Sequence, residues 1–137
     1  MSRGYRNFNP GNIRQSDVAY TGEVEPSKDP AFKQFRTMAL GYRAMFVLLH
    51  TYSVKYQLKT LRGMIERYAP PTENDTTEYV NFVSSRTKVA DISTVDTMNE
   101  RQMIPIVAAM ARVENGSDPD MDDVKQGWEL FMSDYGV

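Results

Sequence analysis

Of the eighteen acidic residues in this chain, Glu114 has the most distinctive setting. It alone follows an apolar, helix-like run, Ile106 to Val113, and leaves through Glu114-Asn115-Gly116. A carboxyl at a helix C-terminus meets the negative end of the helix dipole, which disfavours its charged form. Partial burial acts in the same direction. Together they favour a carboxylic acid that keeps its proton near neutral pH, as protonation of a glycosidic oxygen requires. The competing reading is a solvated glutamate just ahead of a C-cap glycine.

Other polar residues can be weighed beside it. Asn7, Asn9, Asn12 and Arg14 crowd one short N-terminal run. Their amides offer donors and acceptors together, which suits the polar groups of a sugar. The same Asn-Pro-Gly-Asn pattern is also turn chemistry, with side chains bonding nearby backbone. Tyr20 is a candidate for stacking on a sugar ring, as are Tyr5 and Tyr68, and Glu73 is a further candidate for substrate binding. Glu23 and Glu25 could supply a second carboxylate, but they read more simply as surface charges. His50 is the only histidine and there is no cysteine. Cysteine chemistry and a His-rich metal site are therefore excluded, His50 reads as structural, and no cofactor is expected. The acidic run from Asp118 to Asp123 lacks the ligand spacing of a calcium loop and reads as a helix start.

These residues need elements to position them. Residues 1–36 carry Pro10, Gly11, Gly22, Pro26 and Pro30 and do not read as a helix. Short extended pieces are expected near Ile13 and from Phe32 to Phe35. Asn7 to Arg14 is expected to pack back on the core, anchored by Phe8 and Ile13. Five helices should follow. The first runs from about Met38, capped by Thr37, to about Tyr56, with Gly41 placed for close packing. The second starts after Thr60 and stops before Pro70-Pro71. The third starts at Asp75, which forms a capping box with Glu78. The fourth covers about 98–114, capped by Thr97 and kinked or divided by Pro105. The fifth begins near Asp118 or Asp120 and closes at Gly136.

Composition limits the function classes. The chain has 137 residues, 41% of them apolar, a net charge of −2 and a pI near 5.4. That is the size of one domain, here taken as 1–137, with enough apolar side chains for a core. The charge balance argues against a nucleic-acid partner, whose phosphates demand clustered Lys and Arg. No run approaches the roughly 20 apolar residues of a membrane span, so no membrane partner is expected. Met1 to Asn12 lacks the apolar core of a signal peptide. The expectation is a chain made in the cytoplasm and carried outward by a virion or by lysis.

Several motifs carry a family resemblance. Arg6-Asn7-Phe8-Asn9-Pro10-Gly11-Asn12-Ile13-Arg14 resembles the Arg-Asn-Asn-Asn-Pro-Gly-Asn-Ile-Arg opening of a phage and prophage family. Its members are described as virion structural or lysozyme-like proteins. The likeness continues through Tyr20-x-Gly22, Phe32-x-x-Phe35 and Leu40-Gly41-Tyr42-Arg43-Ala44. It then takes in Arg67 to Thr76 and Val113-Glu114-Asn115-Gly116, so it spans nearly the whole chain in order. Asn9 to Gly41 also resembles the part of bacterial glucosaminidases that follows their catalytic helix. Ile106 to Gly116 is similar to the Ala-x-x-x-x-Glu-Ser-Gly helix end of lytic transglycosylases.

The resemblance implies a mainly α, lysozyme-like domain of about five helices with an irregular N-terminal third. It implies peptidoglycan or another glycan as ligand, and other virion proteins as partners. In the glucosaminidases the catalytic glutamate lies upstream of the Asn-rich turn. Here the resemblance implies a permuted site, with Glu114 facing the N-terminal loop and cleaving glycan strands as acid/base. The alternative is a non-catalytic virion or cell-wall-binding domain that kept the fold.

Overall fold

A computed structural model describes residues 1–136. Six helices are assigned among them: α1 (Arg3–Arg6), α2 (Met38–Tyr56), α3 (Leu61–Tyr68), α4 (Thr76–Thr87), α5 (Glu100–Asn115) and α6 (Met121–Tyr135). The chain is mainly helical, as its periodicity predicts. The five expected helices are α2 to α6, and α1 is an addition, a single turn capped by Ser2.

The helix starts follow side-chain capping. Thr37, Thr60, Asp75 and Asp120 accept from the backbone N–H of Leu40, Gly63, Glu78 and Asp122, satisfying donors that a first turn leaves unpaired. The start of α5 differs from expectation. Asn99 caps it, because the Thr97 hydroxyl is engaged with His50 Nδ1 at 2.8 Å. Pro105 does not divide α5, which runs unbroken to Asn115 and ends on Gly116 in the left-handed conformation. His50 sits edge-on to Phe131 and Tyr135, a packing role.

The central helix is α2. Its mean hydropathy is high and its buried positions lie all round it, since it is covered on several sides. Helix α6 lies along it. Gly127 allows that approach, as a Cβ there would meet Tyr42 Cβ at 2.5 Å and the Ala39 carbonyl at 3.0 Å. Phe46 meets Trp128 edge-on at 5.1 Å, and Phe131 packs against both. Met64, Ile65, Val80, Val83, Ile106 and Met110 extend the same core through α3, α4 and α5.

The N-terminal third is irregular but tied down. Two of its extended pieces pair as isolated bridges, Arg14 with Phe32 and Glu23 with Phe35. Lys33 N–H donates to the Ile13 carbonyl (2.9 Å), and Val24 N–H to that of Gln34 (2.8 Å). Ile13 is buried as expected, whereas Phe8 is 41% exposed and anchors nothing. Phe8 has a positive φ of 52°, which turns its side chain outward while its carbonyl faces Gly41. Asn9, Pro10 and Gly11 are buried in its place.

Gly41 is the contact that lets this segment dock on α2. A Cβ there would press into the Phe8 carbonyl, and would meet Pro10 Cδ at 2.6 Å. The neighbour is backbone and cannot swing aside. Gly41→Ala is expected to destabilise the protein by about 2 kcal/mol, the usual cost of overpacking, despite alanine's better helix propensity. A melting curve unchanged or raised in Gly41→Ala would refute this docking.

Asp29 holds a second tie. It lies in the loop before Phe32 and receives Arg3 Nε at 2.6 Å, Arg3 Nη2 at 2.7 Å and Asn7 Nδ2 at 3.0 Å. The N–H groups of Ala31 and Phe32 also donate to it. The Arg3 bond above all holds its carboxyl well below the ordinary value of 3.8. The native state therefore binds this proton more weakly than the unfolded chain does. The stability it contributes is complete above the ordinary value and is lost as pH falls toward the depressed one. In acid melting series, Asp29→Asn should show a flatter decline below pH 3.8 than the unsubstituted protein. Parallel curves would refute the assignment.

Candidate active site

Helix α5 ends beside a cleft of about 730 Å³. One wall is the N-terminal loop from Gly11 to Arg14 with Tyr20 and Phe32. The floor is the outer side of α2, and the other wall is the end of α3 with Glu73 and Asn74. Glu114 projects into it from the last turn of α5.

The chain ends of this wall are stitched together. Asn115 Nδ2 donates to the Pro10 carbonyl (2.7 Å), and its Oδ1 accepts from the Ser2 hydroxyl (2.6 Å). The Tyr68 hydroxyl donates to the Gly11 carbonyl at 2.5 Å. Asn12 Nδ2 donates to Glu114 Oε1 (3.1 Å) and to the Glu114 carbonyl (3.3 Å). Residues 102 positions apart are thus held side by side. Asn12 does this with a φ of 49°, a left-handed conformation that asparagine tolerates better than most residues.

Burial is the main cause of a raised pKa at Glu114, and the Asn12 bond opposes it in part. The buried Tyr79 hydroxyl lies near the carboxyl without a bond of regular geometry. Asn12 Oδ1 is likewise buried without a partner. The result is a half-buried carboxyl, disposed to hold a proton, at the edge of an open cleft.

The other sequence candidates divide into two groups. Asn12, Arg14, Tyr20 and Glu73 line the same cleft as Glu114. Arg14 and Glu73 are exposed and pair at 3.4 Å across its rim. Asn7 and Asn9 are not brought to the cleft. Asn7 serves Asp29, and Asn9 is fully buried, bonded to the backbone of Ile13 and Lys33. The Asn9 amide is consumed by these backbone bonds, and Asn7 is committed through its Nδ2 to Asp29, outside the lining of the cleft.

Glu23 also differs from expectation. Its side chain is buried, with its carboxylate accepting from Lys33 Nζ at 2.9 Å and from Tyr20 N–H at 2.6 Å. Lys33 completes its bonds on the Val18 carbonyl (2.8 Å). A single buried ion pair between loops leaves no periodic signal in sequence. Sequence reasoning also missed the tyrosines and cations of the floor and far wall, Tyr52, Lys55, Tyr56 and Arg67. Tyr52 is buried on α2 and also borders the cleft. Among the described residues no three His, Asp or Glu side chains gather as a metal site would require.

No protein-family model matches the chain. Protein P5 of Pseudoalteromonas phage PM2 is 40% identical over 132 residues, a match that covers 93% of this chain and 81% of that protein. The chain belongs to the protein P5 family. The expected phage connection therefore holds, over nearly the full length of the chain. Among the described residues of this P5 relative, no helix is long and apolar enough to cross a membrane.

Proposed function

We propose that this P5-family protein is a virion-associated, lysozyme-like protein that acts on peptidoglycan, with Glu114 as the acid/base for cleavage between sugars. The observation that carries the reading is the position of Glu114: a half-buried carboxyl with a raised pKa, lining a cleft walled by tyrosines and the Asn12–Arg14 loop. Glu73 is the other carboxylate lining the cleft, and it is exposed and paired with Arg14. That asymmetry favours a single-glutamate mechanism over a matched carboxylate pair.

In this reading the Glu114 carboxyl donates its proton to the glycosidic oxygen as the C–O bond breaks. The resulting carboxylate then takes a proton from the attacking hydroxyl, either of water or of the cleaved sugar itself. Glu114 is thereby returned to its starting form. Asn12 holds the carboxyl in place throughout, and Tyr20 and Tyr68 offer aromatic surface to the rings.

A second reading has its own observation. Asn12 grips both the side chain and the carbonyl of Glu114, so Glu114 has a structural role whether or not it reacts. A non-catalytic virion or cell-wall-binding protein would keep it for that reason alone. Incubation of the purified protein with purified peptidoglycan separates the two. Release of soluble glycan fragments supports the catalytic reading, whereas binding without release supports the second.

A further inference from the structure

We infer that the part of the cleft formed by Lys55, Tyr56 and Arg67 is a subsite for the carboxylates of an anionic glycan. This rests on the reading of the cleft as a glycan site and names the kind of glycan it takes.

Four cations line the cleft: Arg14, Arg43, Lys55 and Arg67. Two are neutralised within the protein. Arg14 pairs with Glu73, and Arg43 donates to Asp134 Oδ2 through Nε at 3.0 Å and Nη2 at 2.7 Å. Lys55 and Arg67 form no ion pair among the described residues. Instead they rest on aromatic rings. Arg67 Cζ lies 3.8 Å from the Tyr56 ring centre and 5.4 Å from that of Tyr52. Lys55 Nζ lies 5.4 Å from the Tyr56 ring centre.

Each cation ends a helix, Lys55 the last turn of α2 and Arg67 that of α3, where the dipole favours positive charge. The dipole explains the sign of the charges but not their convergence on one tyrosine inside a cleft. Stacking fixes the plane of the guanidinium by its face and leaves its N–H edge for an acceptor. A planar carboxylate is the matching partner, through two parallel hydrogen bonds. The whole chain carries a net charge of −2, so this positive end is a local feature. Tyrosine faces for sugar rings beside a guanidinium that has no ion-pair partner describe a glycan strand that bears acidic substituents. Peptidoglycan, with carboxylates on its peptide stems, has that chemistry, and a neutral chitin-type oligosaccharide lacks it.

The test is calorimetric titration of the full chain carrying Glu114→Gln, so that no ligand is consumed. Three probes are used: a soluble peptidoglycan fragment with free stem carboxylates, the same fragment with those carboxylates amidated, and a neutral chito-oligosaccharide. The free-carboxylate fragment should bind about tenfold or more tightly than the amidated one, as expected for one charge-assisted pair. Raising the salt concentration should narrow the gap. Adding Arg67→Gln should remove it, and Arg67→Lys should restore it in part, with the thermal melt confirming that each variant is folded. Equal binding of the free and amidated fragments, a gap that survives Arg67→Gln, or no binding of any probe would overturn the inference. Failure of the catalytic reading is separate. A wild-type protein that prefers the free carboxylates but cleaves nothing refutes Glu114 as acid/base and leaves the subsite standing. Cleavage without that preference does the reverse.

Discussion

Glu114→Gln is expected to abolish release of fragments from purified peptidoglycan, a loss of about 10³-fold or more in rate, within the range seen when a general acid is removed. Glutamine keeps the size and an oxygen that can still accept from Asn12 Nδ2, so the stitch to the N-terminal loop survives. It removes the titrating proton. Folding and glycan binding should therefore be nearly unchanged, and a melting curve with a binding titration checks both. Because burial raises the carboxyl's pKa above the ordinary 4.5, the wild-type rate should fall on the alkaline side as the acid loses its proton. The native state also holds this proton more tightly than the unfolded chain does. Its contribution to stability is thus complete below 4.5 and is lost as pH rises through the raised value. Equal cleavage by wild type and Glu114→Gln would remove Glu114 from the mechanism.

Asn9→Ala should produce a large loss of stability. The Asn9 side chain is fully buried. Its Nδ2 donates to the carbonyls of Ile13 (3.0 Å) and Lys33 (2.8 Å), and its Oδ1 accepts from Ile13 N–H (2.9 Å). Alanine would leave the Ile13 N–H and the Lys33 carbonyl without these partners in a place water reaches poorly, while the Ile13 carbonyl keeps the Lys33 N–H. Each unsatisfied group costs about 1–3 kcal/mol, and partial relaxation brings the expected total to about 3–4 kcal/mol. For a chain of this size the melting temperature should fall by about 10 °C or more. The same change should loosen the loop that carries Asn12 and Arg14, so glycan binding should weaken even below the melting transition. A drop of only a degree or two would mean that the loop is held chiefly by Arg3–Asp29 and Asn115.

Much of the helical architecture is legible in residue order because its causes are local. Thr37, Thr60, Asp75 and Asp120 cap their own helices through bonds spanning two or three residues, and Pro70 and Gly116 stop helices by their own backbone preferences. The apolar spacing of α3, α5 and α6 likewise marks a core-facing side before any packing is known, whereas α2 is buried on several sides. Displacement of the α5 cap from Thr97 to Asn99 shows where this stops: Thr97 is claimed by His50, 47 residues away.

The cleft depends on bonds of that second kind. Local pattern marks Glu114 as an unusual acid and the Asn-rich run as a tight turn, and it leaves open whether they ever meet. Their proximity is decided by Asn12 and Asn115, which bridge more than a hundred residues, and by Gly41, whose missing side chain gives the Phe8 carbonyl room against α2. The same docking assigns the asparagines opposite duties, burying Asn9 as a brace and turning Asn12 toward the acid. It also decides that the Glu23 side chain is buried and Phe8 exposed, against what residue type suggests. Helix propensity and capping act over a few residues and are written in their order. Which side chains share a cleft depends on how distant surfaces exclude water from one another, and that is settled only when the whole chain packs.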